Sequence, residues 1–482
     1  MLAFQFGGGI MLHMKGAELM VKSLESAGVK YMFGVPGEEN LAFLDAVRAS
    51  TIHFTTTHNE QSAVFMAAAY GRFTGRVGVA LATLGPGATN MVTGVAYANL
   101  GAMPLLVITG QKPVRQSKQG QFQIIDVVRM MEPITKSAQS IPSASRIPSM
   151  VHQCIKIAEA ERPGAVHLEL PEDIAEEETN ATPITWQKVR RPVAGEKAIL
   201  SAVAAIEYAK SPLIILGAAA NRKLVRKQIR NFISKTRIPF VTTQMGKGVE
   251  DESSSEYIGT TALSSGDRVH EAIQSADCVI MIGHDITEKP PSIGETNQRL
   301  IHINFFPAAI DAVYIPNLEV VGDISHSLWA MAERISPQKQ WNFTNAHITK
   351  QRIAKSLLEK NNSPVFPIKP QRLVADLRMV MPRDGILSLD NGMYKLWIAR
   401  NYPAYTQNSV ILDNALATMG AGLPVGMMAK FLNPEKKVVV VAGDGGFLMN
   451  VAELETAVRM KLDMVILVLN DSGYGMIKWK QA

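Results

Sequence analysis

Val438-Val-Val-Val-Ala442 runs into Gly443-Asp-Gly-Gly-Phe447, and a second apolar run, Met464–Leu469, ends in Asn470-Asp-Ser-Gly473. The unbroken apolar character predicts two buried strands, with a helix between them from about Asn450 to Met460. Glycines at a strand's C-terminal end let the backbone approach a phosphate closely, and the next helix offers its unpaired N–H groups to that anion. A carboxylate in such a place repels phosphate unless a cation lies between them. Asp444 therefore implies Mg2+ bridging it to a diphosphate; the second strand returns Asp471 beside it, with the Gly473 carbonyl as a further ligand. The plainer alternative is a βαβ unit whose Asp444 caps a helix. Strand, helix, strand and second oxygen ligand together favour the metal.

Outward from this motif the same style repeats. The segment 365–482 adds a strand at Ile386–Leu389 and is preceded by the proline-rich Pro364-Val-Phe-Pro-Ile-Lys-Pro370. The segment 190–340 has buried-strand candidates at Pro212–Leu216, Cys278–Gly283 and Leu300–Asn304. In the segment 14–180, an amphipathic helix at Lys15–Ala27 leads to a strand entering the turn Tyr31-Met-Phe-Gly-Val-Pro-Gly37. A small-residue helix over 62–73, a strand at Val77–Thr83 with the loop Leu84-Gly-Pro-Gly-Ala-Thr-Asn90, and a strand at Leu105–Thr109 follow. Pro171-Glu-Asp173 and the acidic run to Glu178, before Pro183, read as an exit linker. Strands alternating with helices predict three α/β domains, each doubly wound around a mostly parallel sheet.

Composition narrows the class. Of 482 residues, 47% are hydrophobic and 19% charged, which describes a globular chain with a large core. The two cysteines, Cys154 and Cys278, have no metal-ligand spacing, so neither a disulfide framework nor structural zinc is expected, and a reducing, cytoplasmic setting fits. The net charge of +6 is spread singly, apart from Arg222, Lys223, Arg226, Lys227 and Arg230, whose helical spacing reads as a solvated face. Nucleic acid is therefore not an expected partner. No apolar run reaches the ~20 residues that span a bilayer. The opening MLAFQFGGGIMLHM lacks a basic start and a cleavage site, and the fold is expected to begin near Met14.

Gly-Asp-Gly followed at this interval by an aspartate resembles the thiamine-diphosphate enzymes, and the resemblance runs from about Met14 to the last residue. It implies a cofactor whose pyrimidine is held by the first domain of one subunit and whose diphosphate is held by the last domain of another. A homodimer or homotetramer is thus expected. Glu60, in Thr57-His-Asn-Glu-Gln61, matches the family's activating glutamate, which hydrogen-bonds the pyrimidine and promotes loss of the C2 proton. By the same resemblance Pro36 and Gly37 form the turn over the pyrimidine, and Asn90 ends the loop beside the partner's site. Met419 is the bulky residue that holds the cofactor bent, and Gly392 and Met393 meet it through their backbone. Gly443, Gly445, Gly446, Tyr474 and Met476 complete the cofactor set.

Within the family the chain is most similar to the acetolactate synthases, through Phe122-Gln123, Pro133-Ile-Thr-Lys136, the stretch 390–400 and Asp471-Ser-Gly-Tyr-Gly-Met-Ile-Lys-Trp479. The resemblance implies decarboxylation of pyruvate and transfer of the two-carbon unit to a second pyruvate. Gln123 is then a polar contact for bound intermediates, Phe122 and Met476 are apolar walls, and Trp479 is a substrate-side residue. Lys136 either supplies charge near substrate carboxylates or is a surface lysine. Biosynthetic members also bind FAD in the middle domain, through motifs replaced here by Gly259-Thr-Thr-Ala-Leu-Ser-Ser-Gly266 and Ile282-Gly-His-Asp-Ile-Thr-Glu-Lys-Pro290. FAD is possible but not favoured. Other 2-ketoacid decarboxylases or carboligases are the alternative within the family. A non-catalytic member is a further one, because the family continues several tens of residues beyond the position of Ala482.

Overall fold

The computed structural model describes residues 13–115, 120–187, 190–261, 267–288, 298–310 and 312–481. Two units, Met1–Val189 and Arg190–Ala482, separate along the chain. The first holds β1 (Met14–Lys15), β2 (Tyr31–Gly34), β3 (His53–Thr56), β4 (Gly78–Ala82), β5 (Leu105–Gln111), β6 (Ala138–Ser140), β7 (Ala165–Pro171) and β8 (Glu178–Thr179). Six of these form a parallel sheet in the order β3-β2-β4-β5-β7-β6. Its central strands are buried throughout and mostly apolar, as strands covered on both faces are. Leu19, Met20 and Leu24 of the helix Gly16–Ser26 pack with Val79, Leu81, Ile108 and Leu168 of the sheet.

Two expectations for this unit change. The stretch after Pro171 is not simply a linker: Glu172–Ala175 is helical, and β8 pairs antiparallel with β1, Met14 opposite Thr179. Lys15 also meets Glu176 at 2.5 Å. The acidic residues mark an exposed face rather than missing structure. Leu84–Asn90 is likewise not all loop, because Pro86 starts a helical turn, Pro86–Asn90, that leads towards the helix Val92–Leu100.

The second unit carries two sheets. β9 (Pro212–Leu216), β10 (Phe240–Thr242), β11 (Tyr257–Thr260), β12 (Cys278–Ile282), β13 (Arg299–Asn304) and β14 (Leu318–Val321) are parallel in the order β11-β10-β9-β12-β13-β14. The chain thus winds outward from β9 in one direction and then, from β12, in the other. β15 (Ile386–Leu389), β16 (Val410–Ile411), β17 (Val438–Gly443) and β18 (Val465–Leu469) form the other parallel sheet, ordered β16-β15-β17-β18. The basic run lies on the helix Lys223–Thr236 but is only partly solvated. Arg226 donates to the Val249 carbonyl at 3.1 Å and Arg230 pairs with Glu250 at 3.2 Å, because their stems lie along a helix whose Val225, Ile229 and Phe232 are buried. Among the described residues no helix is long and apolar enough to cross a membrane.

Candidate active site

In the first unit, the C-terminal ends of β2, β4 and β5 lie side by side, Gly34 opposite Leu81 and Ala82 opposite Thr109. The residues that follow these strands therefore gather at one edge. Glu60 is the first residue of the helix Glu60–Thr74, whose N-terminus is capped by Asn59 accepting from the Gln61 N–H at 2.8 Å. Its side chain is buried, with 8% exposure, and accepts from Asn90 Nδ2 at 2.9 Å. Gly87 sits so near that a Cβ there would lie 3.2 Å from Glu60 Oε1 and 3.0 Å from Thr83 Cγ2. A Cβ on Gly37 would collide with Thr83 as well. The turn at Pro36–Gly37, Gly87, Asn90 and Glu60 thus form one cluster around Thr83.

Sequence reasoning missed what braces this cluster. Thr83 donates its hydroxyl proton to Glu39, whose other oxygen meets Lys112 Nζ at 2.6 Å. Burial opposes the Glu39 charge, yet the hydrogen bonds from Lys112 and Thr83 prevail and hold its pKa below the usual carboxylate value. The available signal was position: an acid just past β2 and a lysine just past β5 flank the same sheet edge.

The substrate-side residues of this unit divide. Gln123 has a positive φ of 59° and packs against the Leu84–Asn90 segment, where a Cβ on Gly85 would lie 2.9 Å from its carbonyl oxygen. Phe122 is 73% exposed. Lys136 is exposed, as its surface reading expects, but its ammonium is engaged. Its ammonium donates to the carbonyls of Ile157, Ala160 and Arg162 at 2.5, 3.0 and 2.7 Å, closing the C-terminal end of the helix Ile147–Glu159. Desolvation of the ammonium among these carbonyls lowers its pKa to about 8, although the residue as a whole stays exposed.

In the second unit, Gly443 at the end of β17 pairs with Leu469 at the end of β18, so Asp444 and Asn470 leave neighbouring strands at one edge and Asp471 follows. The helix starts earlier than expected: Asp444–Met449 is helical and a second helix spans Glu453–Arg459, which places Asp444 in the first helical turn. Asp444 accepts from the Gly445 N–H at 2.9 Å, and Asp471, which is exposed, accepts from the Gly473 N–H at 3.3 Å. Each thereby engages one carboxylate oxygen locally, and among the described residues the other has no hydrogen-bond donor. Two such carboxylates at one edge form an oxygen donor set that suits Mg2+. A Cβ on Gly445 would lie 3.1 Å from the Tyr474 ring and 3.3 Å from Met419 Cε, and one on Gly475 3.4 Å from Met393 Cβ. Gly392 precedes the helix Met393–Asn401, Met476 is half-buried, and Trp479 is 58% exposed.

Here too the supporting residues escaped the sequence. Asp390 lies beneath the glycine loop, where a Cβ on Gly446 would approach its Oδ2 to 2.6 Å. It accepts from Asn391 N at 2.7 Å and Gly420 N at 3.0 Å, and burial pushes its pKa up to about 6. Lys395, buried, donates to Asn391 Oδ1, to the Asp413 carbonyl at 2.8 Å and to Asn414 Oδ1 at 2.8 Å, pinning the turn before Gly392. Burial lowers its pKa to about 8.

Two parallel-sheet ends, one presenting a buried glutamate and the other a glycine loop flanked by aspartates, suit a diphosphate cofactor. Residues 14–130 match the N-terminal TPP binding domain of the thiamine pyrophosphate enzymes, 199–331 their central domain and 390–482 their C-terminal TPP binding domain. The chain belongs to the thiamine pyrophosphate enzymes. Its relatives include the catabolic acetolactate synthase of Raoultella terrigena, 32% identical over 470 residues covering 96% of this chain and 84% of that protein. The acetolactate synthase of Bacillus subtilis (strain 168) is 32% identical, with 97% and 83% covered. The acetolactate synthase isozyme 1 large subunit of Escherichia coli (strain K12) is 29% identical, with 97% and 83% covered.

Proposed function

We propose that this protein is an acetolactate synthase, which decarboxylates pyruvate and joins the two-carbon unit to a second pyruvate, giving 2-acetolactate and CO2. The observation that supports it most is the Glu60 cluster, a buried carboxylate held by Asn90 against Gly87, in a chain similar to acetolactate synthases over almost its whole length. Bound thiamine diphosphate supplies the nucleophilic carbon and the electron sink for loss of CO2. Glu60 would hydrogen-bond the pyrimidine and hold or move a proton at that carboxylate, while Pro36 and Gly37 would cover the ring. Asp444, Asp471 and the Gly473 carbonyl would hold Mg2+, and Gly443, Gly445 and Gly446 would let a diphosphate approach the backbone closely. Met419 would support the cofactor, Gly392 and Met393 would meet it through their backbone, Tyr474 would line it, and Met476 would form an apolar wall. Gln123 contacts the substrate.

In this reading the pyrimidine domain covers 14–180, the middle domain 190–340 and the diphosphate domain 365–482. The active protein is cytoplasmic and at least a homodimer, with Glu60 of one subunit serving Asp444 of another; FAD has no part. The test is product analysis with pyruvate, thiamine diphosphate and Mg2+. Acetoin after acid treatment is the expected product. Acetaldehyde in its place would make the protein a simple decarboxylase.

A further inference from the structure

The middle sheet reverses its winding between β9 and β12. In sheets of this order a dinucleotide lays its phosphates in the crevice at that point, against N–H groups of the loops that leave the strands. None of those groups is open after β9. Gly217 N donates to the Ile282 carbonyl at 2.9 Å, Ala219 N to Gly283 at 2.9 Å and Ala220 N to Gly217 at 3.1 Å. The remaining one, Ala218 N, donates to Glu288 Oε2 at 3.0 Å. The same carboxylate takes the Thr243 hydroxyl from the end of β10 and the Asp285 N–H, at 3.4 Å, from the loop after β12.

Three donors from the ends of three adjacent strands thus converge on one side-chain anion that is only 7% exposed. The two loops also close on each other. A Cβ on Gly217 would lie 2.5 Å from the Gly283 carbonyl oxygen, and one on Gly283, whose φ is +69°, would collide with Ala220 N. Glycine at both positions lets backbone meet backbone where a ligand would otherwise lie. Burial, followed by the like charge of Asp285, raises the Glu288 pKa to about 7, while the Thr243 and Ala218 hydrogen bonds oppose the rise.

We propose that Glu288 is a built-in anion that occupies the phosphate position of this crevice, so that the middle domain folds around its own carboxylate and takes no dinucleotide. The family's flavin dinucleotide therefore does not fit these residues. The test is binding to the full chain at pH 8, where Glu288 is charged, and its outcome does not depend on which reaction the protein catalyses. Wild type is expected to show no calorimetric heat with FAD and no response to inorganic phosphate beyond that of ionic-strength-matched chloride. Glu288→Ala frees three donors, so inorganic phosphate should raise its Tm by about 2–4 °C more than that of wild type. Glu288→Gln fills the same volume and is expected to resemble wild type. If Glu288→Ala does not fold unaided, its refolding yield should recover in phosphate and not in chloride. Stoichiometric FAD binding by wild type, or a Glu288→Ala protein indifferent to phosphate in both assays, would overturn the proposal.

Discussion

Glu60 and Asp444 each open a helix just beyond a parallel strand, β3 in one unit and β17 in the other, yet their surroundings differ. Glu60 is gripped by the protein itself: Asn90 donates to it, Gly87 presses on it, and Thr83, Glu39 and Lys112 hold the adjoining turns. Asp444 and the exposed Asp471 rest on N–H groups of their own loops. Proton transfer needs the carboxylate placed before the ligand arrives. A hard cation imposes its own octahedron on mobile oxygen ligands. The first half of the proposed chemistry is therefore set by packing, and the second is left for the ligand to finish.

The contrast can be broken most decisively at Glu60. Glu60→Gln should lower turnover by about 10²–10⁴-fold, while calorimetry still shows Mg2+ and thiamine diphosphate binding; unchanged turnover refutes the assigned role. Asp444→Asn should act in the opposite manner. Half-saturating Mg2+ should rise by at least the roughly 10–100-fold that loss of a ligand's supporting partner costs, with turnover recovering at high Mg2+. A turnover loss that no Mg2+ concentration repairs would show that Asp444 is not merely a ligand.

A smaller effect separates the two glycine loops. Gly87→Ala drives a methyl group to 3.2 Å from Glu60 Oε1 in a packed cluster and should cost about 1–3 kcal/mol, visible in thermal melts. Gly445→Ala meets only the exposed Tyr474 ring and Met419, so it should cost less. Equal costs would mean the second loop is as tightly built as the first.

A separate test, in the pH dependence of stability, lies at Glu288, a carboxylate outside both halves. Its folded pKa of about 7 exceeds the ordinary 4.5, so the native state holds the proton more tightly than the unfolded chain does. Its contribution to stability is full below pH 4.5 and is lost as pH rises through 7. Denaturant midpoints of wild type should fall relative to those of Glu288→Gln across that window, and parallel profiles would contradict the shift.

How much of this was legible in the sequence follows from length and from what burial requires. Longer apolar strands such as Pro212–Leu216 and Val438–Gly443 declare themselves, whereas β10, β11, β14 and β16, of two to four residues, are too short to show a period. The α/β class therefore emerged while the middle sheet's full order did not. At the site, glycine-rich stretches stand out by composition. Glu39, Lys112, Asp390 and Lys395 do not, because a buried ion or carboxylate is recognised only by neighbours distant in sequence. Lys136 shows the reverse hazard: a lysine in a suggestive stretch that the fold uses to close a helix. Of the stretches read for FAD, residues 262–266 and 289–290 lie outside the described residues.

The pairing of β1 with β8 has a topological consequence. It brings Met14 and Thr179 into register as neighbours, so the unit's entrance and exit share one doorway. A chain so arranged can be cut elsewhere and rejoined there, and circular permutants bridging these two strands should leave the parallel sheet unaltered. The unit is, in that sense, a portable cassette.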